Sequence, residues 1–181
     1  MDMTSPFDFK LRLPDNLVAI DPGPVESGYV CIAEGEVWRA GQAANADILT
    51  DFHVDSKVTV VMEWLNSMGM AVGQSVFNTC REIGRMQQHF TAHGASVHMI
   101  QRNEVKQTLV GRTVGVTDAV IRQRLIDMFP ADGGGKTPQV GVKVDPGPLY
   151  LVRGHAWQAL AAGLAWHIRK QQETTTGEGG L

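Results

Sequence analysis

Apolar and polar positions divide this chain into short strand-like runs in its first hundred residues and helical periods in the rest. Residues 17–21 (LVAID) make an apolar run that stops at Asp21, and PGPVESG supplies the turn that follows. YVCIAEGEVWRAG then reads as a hairpin around Glu34-Gly35. Residues 58–63 (VTVVME) are a β-branched run suited to a central strand, ending at Glu63. Over about 71–91, Val72, Val76, Cys80, Ile83 and Phe90 recur at helical spacing. ASVHMI (95–100) is a further short strand, after which Asn103 reads as the cap of a short helix reaching Val110 and stopped by Gly111. Thr117 caps the clearest helix, 117–129, with Val120, Ile121, Leu125, Met128 and Phe129 on its apolar face. Residues 130–149, rich in Pro and Gly, predict a mobile loop, and a last helix is expected over about 154–171. The order of four strands, a helix, a strand and three helices implies one α/β domain with a mixed sheet. That domain spans 17–171, between an N-terminal extension (1–16) and a polar tail (172–181) whose composition predicts disorder.

Two of the strand-like runs end in an acid, and a carboxylate at the end of an apolar strand is costly to bury unless something pairs with it. If the strands carrying Asp21 and Glu63 are neighbours, their carboxylates meet, and like charges close together raise one pKa unless a cation neutralises them. Hard oxygen ligands of this kind suit Mg²⁺ or Mn²⁺. Taken singly, Asp21 serves equally well as a turn cap, and Glu63 as an acid already in water. His155 and Gln158 stand at i and i+3 at the start of the last helix and share a face. A lone histidine at such a position is usually a surface residue.

Composition narrows the class. The chain has 181 residues, 43% of them apolar, enough for one domain with its own core. No apolar run approaches the roughly 18 residues of a membrane span, and MDMTSPFDFKLRLPDN is acidic where a signal peptide would be basic and then apolar. Cys31 and Cys80 lack metal-ligand spacing and read as reduced core residues of an intracellular protein. The net charge of −3 hides an asymmetry: residues 1–80 carry 11 acids and 4 Lys/Arg, whereas residues 81–181 carry 8 acids and 12 Lys/Arg. A basic half beside an acidic half fits a DNA-facing surface next to an acidic metal site, and equally an ordinary solvated surface. Arg81, Arg85, Arg102, Arg112, Arg122, Arg124 and Arg153 are candidate phosphate contacts that together would make binding salt-dependent. GGGKT (133–137) is no phosphate loop, because Pro130 stands where its first glycine belongs and Pro138 where a helix should begin. Asp145, in a second V-x-V-D-P-G-P, is a possible extra carboxylate, though a turn role suits it better.

Taken in order, AIDPG…GYV (19–30), VVME (60–63), VKQTLVG (105–111) and HAWQALA (155–161) resemble the RuvC-like Holliday junction resolvases of the RNase H-like superfamily. The match runs from about residue 17 to 168, and PGPLY…GHAWQALA looks particularly like versions carried by bacteriophages. The resemblance implies an RNase H-like α/β fold with a mixed five-stranded sheet flanked by helices. It implies a homodimeric endonuclease, acting in the cytoplasm (the host's if viral), that cuts four-way or other branched DNA to leave 5′-phosphate and 3′-hydroxyl ends. Asp21 and Glu63 match the family's first two metal-binding acids, and His155 its third site residue, for Mg²⁺ (or Mn²⁺) with two ions per subunit. Asp21 would bridge the ions, Glu63 would hold one, and His155 would hold the second or move a proton. Gln158 stands where the family's final Asp is usual; an amide oxygen can ligate Mg²⁺ but brings no charge, so metal should bind more weakly. Lys106 matches a basic position facing the scissile phosphate, while a second family lysine is replaced by Thr117. Trp64 lies near, but out of register with, the family's junction-wedging aromatic, and helix 71–91 resembles its dimer-forming helix. A non-catalytic junction-binding protein, its site decayed at Gln158, is the main rival. A sugar-kinase or actin-like fold also begins with Asp-x-Gly and a hairpin, but needs two such domains.

Overall fold

The computed structural model describes residues 13–66 and 71–177. Most of the 1–16 extension and the last four residues of the predicted tail lie outside the described residues. Three antiparallel strands open the domain: β1 (Asn16–Asp21), β2 (Glu26–Ala33) and β3 (Glu36–Ala44). Glu34 and Gly35 both take positive φ (51° and 79°), the geometry of a two-residue hairpin turn whose twist matches its strands. A short helix α1 (Asn45–Asp51) leads to β4 (Thr59–Trp64), then α2 (Gln74–Ala92), β5 (Ser96–Gln101), α3 (Arg102–Val110) and α4 (Asp118–Met128). A small hairpin, β6 (Gly141–Val142) with β7 (Asp145–Pro146), precedes the last helix, α5 (Ala156–Gly177). The five-stranded sheet runs β3-β2-β1-β4-β5, with β1, β4 and β5 parallel. This is the mixed five-stranded sheet expected from the strand order.

The period of two along each strand sorts the core into two layers. Leu17, Ala19, Val30, Ile32, Val61 and Ile100 face α3, α4 and α5. Val18, Ile20, Cys31, Val60 and Met62 face the other way, onto Ile48 and Phe52 near α1 and Met86 and Phe90 of α2. Helix α5 lies directly on β1: a Cβ at Gly163 would stand 2.7 Å from Ala19 Cβ and 2.9 Å from Leu17 Cδ2. Only a residue without a side chain permits that approach.

Several local expectations need correction. Helix α3 begins at Arg102, not after Asn103: Gln101 and Glu104 form a reciprocal capping box, which satisfies two orphan donors where Asn103 would satisfy one. Gly111 does end it in the left-handed conformation, and Thr117 does cap α4. Helix α1 escapes a sequence reading because seven residues give too few apolar repeats to establish a period. The last helix continues to Gly177, through six residues assigned to the tail. Segment 130–149 is wound into turns rather than left open: Gly133 N–H donates to Pro138 O, Gly147 N–H to Val140 O and Leu149 N–H to Gln139 O. Its glycines serve close backbone approach, since a Cβ on Gly147 would fall 2.1 Å from Pro138 O. Of the two free cysteines, Cys31 is buried, and burial pushes its thiol up to about 12, whereas Cys80 is exposed on α2 and is not a core residue.

Candidate functional site

Asp21 and Glu63 come together for a topological reason. β1 and β4 are parallel neighbours whose last paired residues are Ile20 and Met62, so Asp21 and Glu63, the next residue of each, stand at the same end of the two strands. Alternation puts both carboxylates on the face covered by α5, because Ala19 and Val61, two positions earlier, lie in that layer. The turn beyond Asp21 is fixed by a buried polar triangle. Ser27 Oγ donates to Asn45 Oδ1 (2.6 Å), Asn45 Nδ2 donates to Gly23 O (3.0 Å), and Gly23 N–H donates to Ser27 Oγ (3.2 Å). The sequence signalled neither Ser27 nor Asn45, since each looks like an ordinary turn residue.

His155 lies in the turn just before α5 and not within it; its carbonyl accepts the first helical N–H bonds, from Gln158 and Ala159. Its Nδ1 is 3.4 Å from Asp21 Oδ2, and its side chain is 62% exposed. The approach depends on Gly28, the β2 partner of Asp21. A Cβ there would stand 2.5 Å from His155 O and 2.7 Å from His155 Cβ. On the outer side of this pair, an open cleft of about 470 Å³ is lined by Asp21, Pro22, Glu26, Gly28, Gln42 and His155.

Arg102 ties the rest together. As the first residue of α3, it reaches back so that Nη1 donates to Glu63 Oε2 (3.1 Å), while Nη2 bonds Asp118 Oδ1 in the first turn of α4. Asp118 was not singled out from the sequence, because an acid just after an N-cap reads as a partner of the helix dipole. The amide nitrogen of Gln158 lies 3.4 Å from Asp118 Oδ2. Turned over, the same amide donates to the carbonyls of His155 and Gly154, each at 3.3 Å.

Burial dominates the electrostatics. It pushes the Glu63 carboxyl up to about 7, with Arg102 pulling it down and Asp21 and Asp118 pushing it further up. Asp21 is also raised, mainly by burial and against the pull of His155 and Arg102. An acid whose folded pKa lies above its unfolded value keeps its proton in the folded state where the unfolded chain has lost it. The Glu63 contribution to stability therefore declines as pH rises from about 4.5 to about 7, by on the order of 3 kcal/mol. In chelator, thermal melts should show the wild-type protein gaining stability between about pH 8 and pH 5.5. Glu63→Gln, which cannot titrate, should flatten that gain; an unchanged pH profile in the variant would remove Glu63 as its source.

The other sequence candidates divide by face. Lys106 stands one turn along α3 from Arg102, on the same side of the helix. Arg112 is exposed in the connection that follows α3. Arg122 lies over the Trp157 ring, 4.7 Å from its centroid, Arg153 over Tyr150 at 5.4 Å, and Arg124 Nε donates to Leu109 O. Arg81 and Arg85 sit on α2, which packs on the opposite face of the sheet from the acids, and both pair with the buried Glu82. Trp64, next to Glu63 on β4, points by alternation to that opposite face and is exposed at the strand end. Asp145 lies against Gly134 within the 130–149 turns.

The chemistry of the donor set fits a hard divalent cation: partly desolvated carboxylates, a neighbouring imidazole and no thiolate. Among the described residues, no three His, Cys, Asp or Glu side chains are drawn together closely enough to hold a metal ion, and Arg102 supplies the positive charge between the acids. No helix among the described residues is long and apolar enough to cross a membrane.

Neither the family models nor the curated proteins contain a match to this sequence. Solved structures do match. Thermus thermophilus RuvC superposes with a TM-score of 0.63 at 17% identity, over 88% of this chain and 97% of that one. T. thermophilus RuvC in complex with a Holliday junction substrate gives a TM-score of 0.64 at 16% identity, over 89% and 98%. The likeness covers most of this chain and nearly all of those two, so this chain has the RuvC-type, RNase H-like fold.

Proposed function

We propose that this protein is a structure-specific endonuclease that hydrolyses phosphodiester bonds in four-way or other branched DNA. The observation that carries the reading is the meeting of Asp21 and Glu63 at the ends of paired strands, with His155 3.4 Å from Asp21. The fold supports it, one of its structural neighbours being a RuvC bound to a Holliday junction. Asp21, Glu63 and His155 are the residues that would hold Mg²⁺ or Mn²⁺, which when bound supplies Lewis-acid stabilisation of charge on the phosphate and lowers the pKa of water. Two ions per subunit fit this reading if Asp21 is shared between them. His155 would either hold the second ion or, with Nδ1 turned to Asp21, use Nε2 instead to take a proton from the attacking water and return one to the leaving oxygen. Lys106, one turn along α3 from Arg102, together with Arg112, Arg122 and Arg153, would pair with phosphate oxygens, whereas Arg102 is engaged by Glu63 and Asp118.

Action as a homodimer, each subunit cutting one strand, is part of the proposal. Helix α2 leaves Phe77 58% exposed on its outer side, which suits a helix-to-helix contact between copies. One observation favours a second reading, a junction-binding protein without catalysis: Arg102 already neutralises Glu63, and Gln158 brings no charge. The experiment is cleavage of labelled four-way junctions, flaps, forks, linear duplex and RNA–DNA hybrids, with Mg²⁺, Mn²⁺ or chelator. Metal-dependent cutting confined to branched DNA is the expected result; binding without nicking would favour the second reading, and cutting confined to RNA–DNA hybrids would overturn the substrate.

A further inference from the structure

The cleft beside Asp21 and His155 is lined unlike a phosphate site. Its volume, about 470 Å³, falls in the roughly 300–1,000 Å³ range of clefts that take a small organic group. Among the described residues that line it there is no Lys or Arg, and Asp21 and Glu26 would repel a phosphate. Pro22, Pro24 and Val25 give it an apolar wall, on which Val25 is left 70% exposed. The flat face of a nucleobase can cover such a wall, whereas a phosphodiester cannot. The wall is also built to hold its shape. Buried Ser27 and Asn45 bind Gly23 from within, and Asn45 N–H donates to Val25 O (2.9 Å). A Cβ on Gly23 would stand 2.2 Å from Glu26 O, so the turn is closed on itself.

Register fixes where the cleft leads. Asp21 pairs with Gly28 and Gly28 with Gln42, so the three stand in one row across β1, β2 and β3. Neighbouring strands are about 4.8 Å apart, which puts Gln42 about 10 Å from Asp21 along that row. Glu26, two residues before Gly28, shares its face, and Gln42 Nε2 donates to Glu26 Oε2 (2.9 Å). That bond steadies the carboxylate and leaves lone pairs on both its oxygens to accept. With a phosphate held at Asp21, the base beside it reaches towards Glu26. A carboxylate accepts and cannot donate, so it favours the base with the most donors side by side. On its Watson–Crick edge guanine offers two, N1–H and N2–H. Adenine and cytosine offer one amino group there, and thymine one N–H between carbonyls that a carboxylate repels. That edge is exposed only where the base has lost its partner, as at a branch point. We propose that this cleft seats the unpaired base next to the cut phosphodiester and favours guanine, with Glu26 as the specificity-determining residue and Gln42 as the residue that positions it.

This inference rests on the nuclease reading, and its test separates the two. Four-way junctions with randomised bases around the branch are cut by the full-length protein in Mg²⁺ or Mn²⁺, and sequencing of the cut ends gives the preference at each position. Wild type is expected to favour guanine at one nucleotide bordering the cut by about tenfold. Single-turnover rates on defined junctions then compare guanine at that nucleotide with inosine, which lacks only the N2 amino group. Inosine should slow wild type by about threefold or more, whereas Glu26→Gln should cut the two junctions at rates within about 1.5-fold of each other. Glu26 is exposed, and thermal melts confirm that the variant is folded. Because protein and base are changed in turn, general damage to the fold cannot produce this loss of coupling. Absence of a guanine preference in wild type, preference for another base at that nucleotide, or a guanine-over-inosine ratio that survives Glu26→Gln would overturn the assignment while leaving the nuclease reading intact. Absence of metal-dependent cutting by wild type would overturn both.

Discussion

Asp21→Asn should fold, bind four-way junctions with near wild-type affinity, and cut them about 10³-fold more slowly in Mg²⁺. The substitution is isosteric and removes a charge from a position where burial already opposes ionisation, so the folded state loses little. On the proposed reading, what disappears is an anionic ligand for a divalent cation, whose stabilisation of the transition state would be worth several kcal/mol, each 1.36 kcal/mol being about a factor of ten in rate. Single-turnover cleavage of a labelled junction, with gel-shift binding and circular dichroism on the same preparation, separates the chemical step from folding and binding. A variant that cuts within tenfold of wild type would mean that Asp21 is a turn residue after all and that the chemistry lies elsewhere.

Gly28→Ala should slow cleavage about 10²-fold while leaving Asp21, Glu63 and His155 all in place chemically. The new methyl group would meet the carbonyl oxygen and carbonyl carbon of His155 at 2.5 and 2.6 Å, closer than any real Cβ contact, so something must move. Helix α5 cannot retreat as a body, because Gly163 seats it against Ala19 and Leu17. The turn at 154–155 must give instead, carrying the imidazole away from Asp21, and a displacement of about 1 Å in a reacting constellation can cost about 10²-fold. Overpacking should also lower stability by about 1–3 kcal/mol. Gly35→Ala is the matched control: it strains a backbone at φ 79° but meets nothing, so it should cost stability without slowing the cut. Equal activity losses in the two variants would show that general destabilisation, not displacement of His155, explains both.

Much of the architecture was legible because it rests on periodicity. The apolar runs ending at Asp21 and Glu63, the Glu34-Gly35 turn, the Gly111 stop and the Thr117 cap are each visible in a few adjacent residues. The juxtaposition of Asp21 with Glu63 was legible only conditionally, since it needs β1 beside β4, a pairing that no local pattern encodes. Asp118 and the Ser27–Asn45 triangle were not legible at all. Each acts across 16 residues or more, to Arg102 in one case and to the turn after Asp21 in the other, and each has an ordinary local role that its neighbours already explain. Segment 130–149 misled for the opposite reason: its glycines suggested freedom, whereas several let backbones touch.

The seat of α5 on β1 has a consequence for how this protein can breathe. The residues that pack this helix to the sheet lie in the same core layer as the strands bearing the acids, and His155 sits at the helix's leading end. Withdrawal of α5 would expose the centre of that layer, so it belongs to global unfolding and not to a local fluctuation. Asp21, Glu63 and His155, the residues proposed for the cut, are thus mounted on the least yielding part of the molecule. On the proposed reading, accommodation of a bulky branched substrate would fall to parts outside that seat, such as the α3–α4 connection with the exposed Arg112.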